Sequence, residues 1–308
     1  MSPTLSRSRE KIWIPWSPWT AREHISDAIA GEPGAGRPFD SLRHEHWGPT
    51  GRWLLGSWLD HLDLDRSDVI TVLTTSQERY VSICVSVTAF NFASVARVVT
   101  DRTRVIIVIH EFGYVDTDFP KQCEEWRARG ITVLEDCAHV AGITIGSARV
   151  GDYGDAALFS LPKIIPAKFG GLLRTRKPFR LPTMDETTSS ATMEGKAAAE
   201  ASLPYVGRFN ALRKERHQLL RDGLGLPPWE PSKSVVSVPW FSMYTDPGNE
   251  AYEAYFPDVS WGRATLEADR LQIPTNPLVP LREFEALITC FQSYGIRNKR
   301  MFSSPEAG

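Results

Sequence analysis

The chain of 308 residues has four cysteines (Cys84, Cys123, Cys137 and Cys290), with no C-x-x-C pair and no metal-ligand spacing among them. That excludes a disulfide framework or a thiolate metal centre and predicts reduced thiols in a cytoplasmic protein with no bound metal. No stretch approaches the roughly 18 consecutive apolar residues of a membrane span, and the basic N-terminus is not followed by the apolar run of a secretory signal. Thirty-five basic residues stand against 37 acidic ones, a formal charge of −2. No global field therefore attracts nucleic acid or an anionic membrane. A glycine-rich phosphate loop after a strand is also missing, which argues against a nucleotide-binding α/β protein. Tryptophan is plentiful, and Trp13, Trp16 and Trp19 crowd one Pro-containing segment near the start. Such a segment needs an apolar surface to cover, on the subunit itself or on a partner subunit.

Apolar spacing predicts helices over Ala21–Ala30, Arg52–Leu64, Val81–Phe92, Lys121–Arg129, Arg208–Leu224 and Arg282–Tyr294. Between them lie short runs that are apolar throughout: Val69–Leu73, Arg104–Ile109, Ile131–Leu134 and Ala156–Phe159. Strands of that kind, separated by helices, belong to a mainly parallel sheet covered on both faces. Residues Thr183 to Ala201 are rich in Thr, Ser, Ala and Glu and carry no clear period. The composition shifts divide the chain into an N-terminal segment (1–45), a large α/β domain (46–180) and a smaller C-terminal α+β domain (181–308).

In open parallel sheets, functional groups collect at the carboxyl ends of the strands. One strand ends in His110-Glu111-Phe112-Gly113, the next in Glu135-Asp136-Cys137-Ala138-His139, and a third in Ser160-Leu161-Pro162-Lys163. Taken singly these residues have plainer uses, since an Asp after a strand often caps a helix or forms a turn.

Taken as an ordered string, "RTRVIIVIHEFGY" followed by "GITVLEDCAHVAGITIGSARVGDYGDAALFSLPKIIPAKFGGLLRT" resembles the DegT/StrS family of pyridoxal-phosphate (PLP) sugar aminotransferases, within the aspartate-aminotransferase fold. The match covers residues 102–175. It implies a three-layer PLP-transferase large domain, with Asp136 at the pyridine nitrogen and His139 near the ring's phenolic oxygen. Ser160 would contact the phosphate, and Lys163 would be the Schiff-base lysine. Tyr80 lies where that family has a ring-stacking aromatic. Gly51 and Arg52 lie where a helix N-terminus cradles the phosphate, and His110 and Glu111 are candidates for a substrate pocket. Lys168 rivals Lys163, because the family's lysine follows its Ser by five positions. Here the two lysines follow Ser160 by three and by eight, and the distance to the Gly170-Gly171 pair favours Lys163.

The resemblance also implies a homodimer that takes a small carbonyl substrate, such as a keto sugar, and an amino donor. It is incomplete in two places. The segment between Tyr80 and Val105 is compressed, and after Thr175 the family's Asn-Tyr-Arg stretch has no counterpart, Asn210 being the one distant candidate for its Asn. The same cofactor site would also serve a lyase or a racemase, and a noncatalytic binding subunit is the alternative from outside enzymology.

Overall fold

The computed structural model describes residues 17–29, 44–75, 83–110, 113–225, 234–236, 240–244 and 270–293. Tyr80, Glu111, Trp13 and Trp16 lie outside the described residues. Among those described, no helix is long and apolar enough to cross a membrane.

A seven-stranded sheet forms the centre. Its strands in chain order are β1 (His44–Gly48), β2 (Val69–Thr74), β3 (Ser94–Ala96), β4 (Thr103–Ile109), β6 (Thr132–Asp136), β9 (Ala156–Ser160) and β10 (Gly171–Thr175). Across the sheet they run β1-β10-β9-β6-β4-β2-β3. The pairs from β3 through β9 are parallel, while β10 is antiparallel to both β9 and β1, so β10 alone runs against the rest. A mainly parallel sheet is what the uninterrupted apolar runs predict. Every residue from Val105 to Ile109 is at most 4% exposed, because both faces of β4 are covered.

Alternation along the strands separates the two faces. On one, Val105, Ile107, Ile109, Leu134 and Leu158 meet helices α2 (Gly51–His61) and α3 (Ile83–Phe90) through Leu54, Leu55, Trp58, Leu59 and Val85. On the other, Ile106, Val108 and Val133 pack against Phe119 and Cys123 of α4 (Phe119–Ala128). Each such side chain contributes about 1.5–3 kcal/mol when fully buried. The α4 helix closes at Gly130, whose φ of 77° is the left-handed C′ conformation that a side chain would disfavour.

Around this centre lie the one-turn helix α1 (Ile25–Ala28), the short strands β5 (Tyr114–Asp116), β7 (Thr144–Ile145) and β8 (Ala148–Arg149), and the one-turn helix α5 (Leu161–Ile164). The C-terminal part contributes α6 (Glu186–Ser202), α7 (Val206–Gly223), β11 (Ser234–Val236), β12 (Trp240–Tyr244), β13 (Arg270–Pro274) and α8 (Leu281–Ser293). Two expectations change. In place of the helix expected over Ala21–Ala30, the described residues form a 3-10 turn over Pro18–His24, kinked at Ala21, followed by only four α-helical residues, Ile25–Ala28. The patternless stretch from Thr183 is a regular helix, α6, capped by Asp185 accepting the Thr188 N–H at 2.7 Å.

Candidate active site at the carboxyl edge of the sheet

Parallel pairing sets Ile109 beside Asp136 and Asp136 beside Leu158, so the ends of β4, β6 and β9 arrive at one edge. At the end of β6, Glu135 and Asp136 are consecutive and must point to opposite faces. Their surroundings differ accordingly.

Glu135 is fully buried and accepts three backbone N–H bonds, from Gly151 and Gly154 at 2.7 Å and from Tyr153 at 2.9 Å. Its carboxylate is thereby committed to holding the loop that leads into β9. His110 lies on the same side, with Nε2 3.5 Å from Glu135 Oε2 and its ring edge-on to Phe119 at 5.2 Å. That ring is fully buried, so His110 does not line an open pocket, contrary to expectation: the strand end that carries it turns inward. His110, Glu135 and Cys137 present ligand atoms within 4.8 Å of one another. The Glu135 carboxylate among them is already engaged by three backbone N–H bonds.

Asp136 faces the other way, 4% exposed, with Oδ1 accepting the Ala138 N–H at 3.0 Å in an Asx turn. Burial pushes its carboxyl up from the ordinary value, and the Lys163 ammonium, the Ala138 N–H and His110 pull it back down. Lys163 Nζ lies 3.1 Å from His139 Nε2. Burial pushes the Lys163 amine down, against the pull of Asp136 and Cys84. Burial, together with the Lys163 charge, holds His139 well below the ordinary histidine value. His139 is therefore a neutral imidazole at neutral pH, able to accept from the Lys163 ammonium. Lys168 is exposed, its ammonium over the Phe169 ring at 4.9 Å, and takes no part in this cluster.

The third side is glycine-built. A Cβ placed on Gly51 would come within 3.7 Å of Ser160 Cβ, which sets the start of α2 beside the end of β9. A Cβ on Gly171 would lie 2.7 Å from Gly51 N, so only glycine lets β10 pass under that helix end. At the N-terminus of α2, Thr50 Oγ1 accepts the Trp53 N–H at 3.1 Å and Thr50 O accepts from Leu54 N at 3.3 Å. No backbone hydrogen bond from the Gly51 or Arg52 N–H is made among the described residues, and such first-turn donors are the usual anion-binding feature of a helix start. The Arg52 side chain touches the Cys84 thiol at the start of α3.

The structure thus brings together Asp136, His139, Ser160, Lys163, Gly51 and Arg52. Asn210, considered for the phosphate, is buried in its own chain and donates to the Ala141 carbonyl at 2.8 Å. Cys84 was not singled out, since its place depends on α3 folding over the edge.

Residues 72–180 match the DegT/DnrJ/EryC1/StrS aminotransferase family. The L-glutamine:scyllo-inosose aminotransferase of Streptomyces griseus is 34% identical over 85 residues, 27% of this chain and 20% of that protein. The L-glutamine:2-deoxy-scyllo-inosose aminotransferase of Streptomyces kanamyceticus is 26% identical over 195 residues, 54% of this chain and 44% of its own. The chain therefore spans between a fifth and under half of the length of these curated relatives. Among solved structures, the aminotransferase TlmJ of Streptoalloteichus hindustanus superposes with a TM-score of 0.63 at 15% identity, over 91% of this chain and 90% of that one. The stretch that matches the DegT/DnrJ/EryC1/StrS aminotransferase family model carries the whole cluster except Gly51 and Arg52, and it is set in a chain whose fold is that of the aminotransferases it superposes on.

Proposed function

We propose that the protein is a PLP-dependent aminotransferase acting on a keto sugar or a related small carbonyl compound, with an amino acid as donor. The observation that carries this reading is the cluster of buried Asp136 with part-buried His139 and Lys163 at the carboxyl edge, beside the N-terminus of α2. Its donor set fits the cofactor. A buried carboxylate, already raised by burial, is stabilised by a protonated ring nitrogen next to it. A lysine whose pKa burial lowers gives up its proton more readily, and the free amine is the nucleophile toward an aldehyde. Ser160 and the first turn of α2 suit a phosphate dianion, which the positive end of the helix favours.

PLP, when bound, supplies an electron sink for the bond that breaks at the amine-bearing carbon. The rest falls to the chain. Asp136 would keep the ring nitrogen protonated, Ser160 with the Gly51 and Arg52 N–H groups would anchor the phosphate, and His139 would accept a hydrogen bond from Lys163 Nζ. With the cofactor in place, Lys163 Nζ would carry protons to and from the substrate carbon, its basicity set by burial against Asp136. Two relatives act on inososes with L-glutamine as donor, and these are the first compounds to try.

The reading extends to a cytoplasmic homodimer, with residues 46–180 as the cofactor-binding domain. Cys84, Cys123 and Cys137 are free thiols, in keeping with a reducing compartment. Incubation with PLP followed by borohydride and peptide mass spectrometry should place the pyridoxyl group on Lys163. A label on Lys168, or on neither lysine, would overturn the assignment.

A further inference from the structure

Lys163 sits in α5, a single turn of four residues, and the chain after it is extended at Ile165 (φ −128°, ψ 166°). His139 lies in irregular chain between β6 and β7. One turn of helix has little stability of its own. Neither segment can fix its own side chain, so the 3.1 Å approach of Lys163 to His139 must be set from outside.

The outside support is α7, an 18-residue helix. Asn210 and Arg213 are three residues apart and so share a face, and they are 7% and 3% exposed. Asn210 Nδ2 donates to the Ala141 carbonyl at 2.8 Å, on the chain that carries His139. Arg213 Nη2 donates to the Ile164 carbonyl, next to Lys163, and Nη1 donates to Asn210 Oδ1 at 3.1 Å. With the Lys163–His139 contact, these bonds close a ring: His139, Ala141, Asn210, Arg213, Ile164, Lys163 and back to His139.

We propose that Asn210 and Arg213 are positioning residues that set the separation of Lys163 and His139 by clamping the two backbone segments that carry them. This rests on the function proposed above. A guanidinium suits the task because its planar fork reaches two acceptors at once, where a lysine would reach one. No carboxylate pairs with Arg213 among the described residues, and burial lowers its pKa to about 9, so it stays charged at neutral pH. A buried cation spent wholly on a carbonyl and an amide oxygen is costly for mere helix packing.

Arg216 offers the control. It is also buried on α7 and grips a carbonyl, that of Val279 at 2.8 Å, but it stands outside the ring.

The experiment uses the cofactor-free full chain and reductive methylation with formaldehyde and cyanoborohydride across a pH series, read lysine by lysine by mass spectrometry. The groups that bear on Lys163 are Asp136 from β6, Cys84 from α3 and His139. In the wild type its midpoint should lie below that of exposed Lys168. Opening the clamp lets water in, so Arg213→Met, Arg213→Lys and Asn210→Ala should each raise the Lys163 midpoint. The rise should be roughly one pH unit, a tenfold change in the unprotonated fraction. Arg216→Met should leave it in place while lowering stability. An unchanged Lys163 midpoint in the folded Arg213→Lys and Asn210→Ala variants, or an equal rise in Arg216→Met, would overturn the proposal. Methylation needs no cofactor, so these outcomes are separate from a failure of PLP to label Lys163.

Discussion

Glu135→Gln tests whether the carboxylate under the site holds the loop before β9. The wild-type side chain is fully buried and takes three N–H bonds, two on Oε1 and one on Oε2. Glutamine can keep its oxygen on Tyr153 and Gly154, but its NH2 group then faces the Gly151 N–H, donor against donor. One buried amide is left without an acceptor, at about 1–3 kcal/mol. The charge that faces His110 Nε2 at 3.5 Å is lost as well. The expected loss is about 2–4 kcal/mol, a large share of the roughly 5–15 kcal/mol that a folded protein has in total. Urea unfolding with linear extrapolation should show a lower midpoint at an unchanged slope, since the surface exposed on unfolding is the same. A midpoint equal to wild type would mean that the Gly151–Gly154 turn does not depend on this carboxylate, and the division of labour between Glu135 and Asp136 argued above would fall.

Asp136→Asn should give the opposite pattern, because asparagine Oδ1 can still accept the Ala138 N–H. Stability should change by less than about 1 kcal/mol, while the loss of a charged partner, about 2–3 kcal/mol, should slow single-turnover transamination roughly a hundredfold. Wild-type turnover would make Asp136 a plain turn former. Gly195→Ala should destabilise by about 1–3 kcal/mol through overpacking, since the added Cβ would lie 2.7 Å from Gly170 Cα and 2.8 Å from Phe169 O. A melting curve matching wild type would show that α6 can shift away without cost. For pH, burial and Arg221 lower the His217 pKa from 6.5 to about 4. The unfolded chain therefore holds more protons in that window, and stability should fall as pH drops from about 6.5 toward 4, by about 2 kcal/mol after discounting partial exposure. His217→Gln should flatten that part of the stability profile, and an identical slope in the variant would refute the assignment.

The large-domain strands were legible because burial on both faces leaves an apolar run, as at Val105–Ile109, that no helix interrupts. β10 was harder to see: its Arg174 is fully buried against Asp152 at 2.9 Å, and a charge in a short run argues against a core strand. β1 reads His-Glu-His-Trp-Gly and straddles the boundary placed at residue 45, since an edge strand need not be apolar. α6 escaped notice for a different reason. Part of its contact with the large domain is Gly195 against Gly170, a close backbone approach that leaves no apolar side chain to read there.

Within the site, what could be read from sequence was the polar residue that ends each strand, because chain order alone places it at the carboxyl edge. Counting from Ser160 did not separate Lys163 from Lys168, as neither has the family's spacing, and only the distance to the Gly170-Gly171 pair favoured Lys163. The fold supplies the reason one of them suits the site. Ser160 is the N-cap of α5, and a residue three positions on in a helical turn lies on the same face as its cap. Lys163 is therefore carried toward the edge where Ser160 and Asp136 stand. Beyond Ile164 the chain leaves the helix through extended Ile165, and that side-to-side register is lost before Lys168 is reached. The Asn210–Arg213 pair had no such signal: two polar residues three apart on a charged helix look like a solvated face until Ala141 and Ile164 are folded against them.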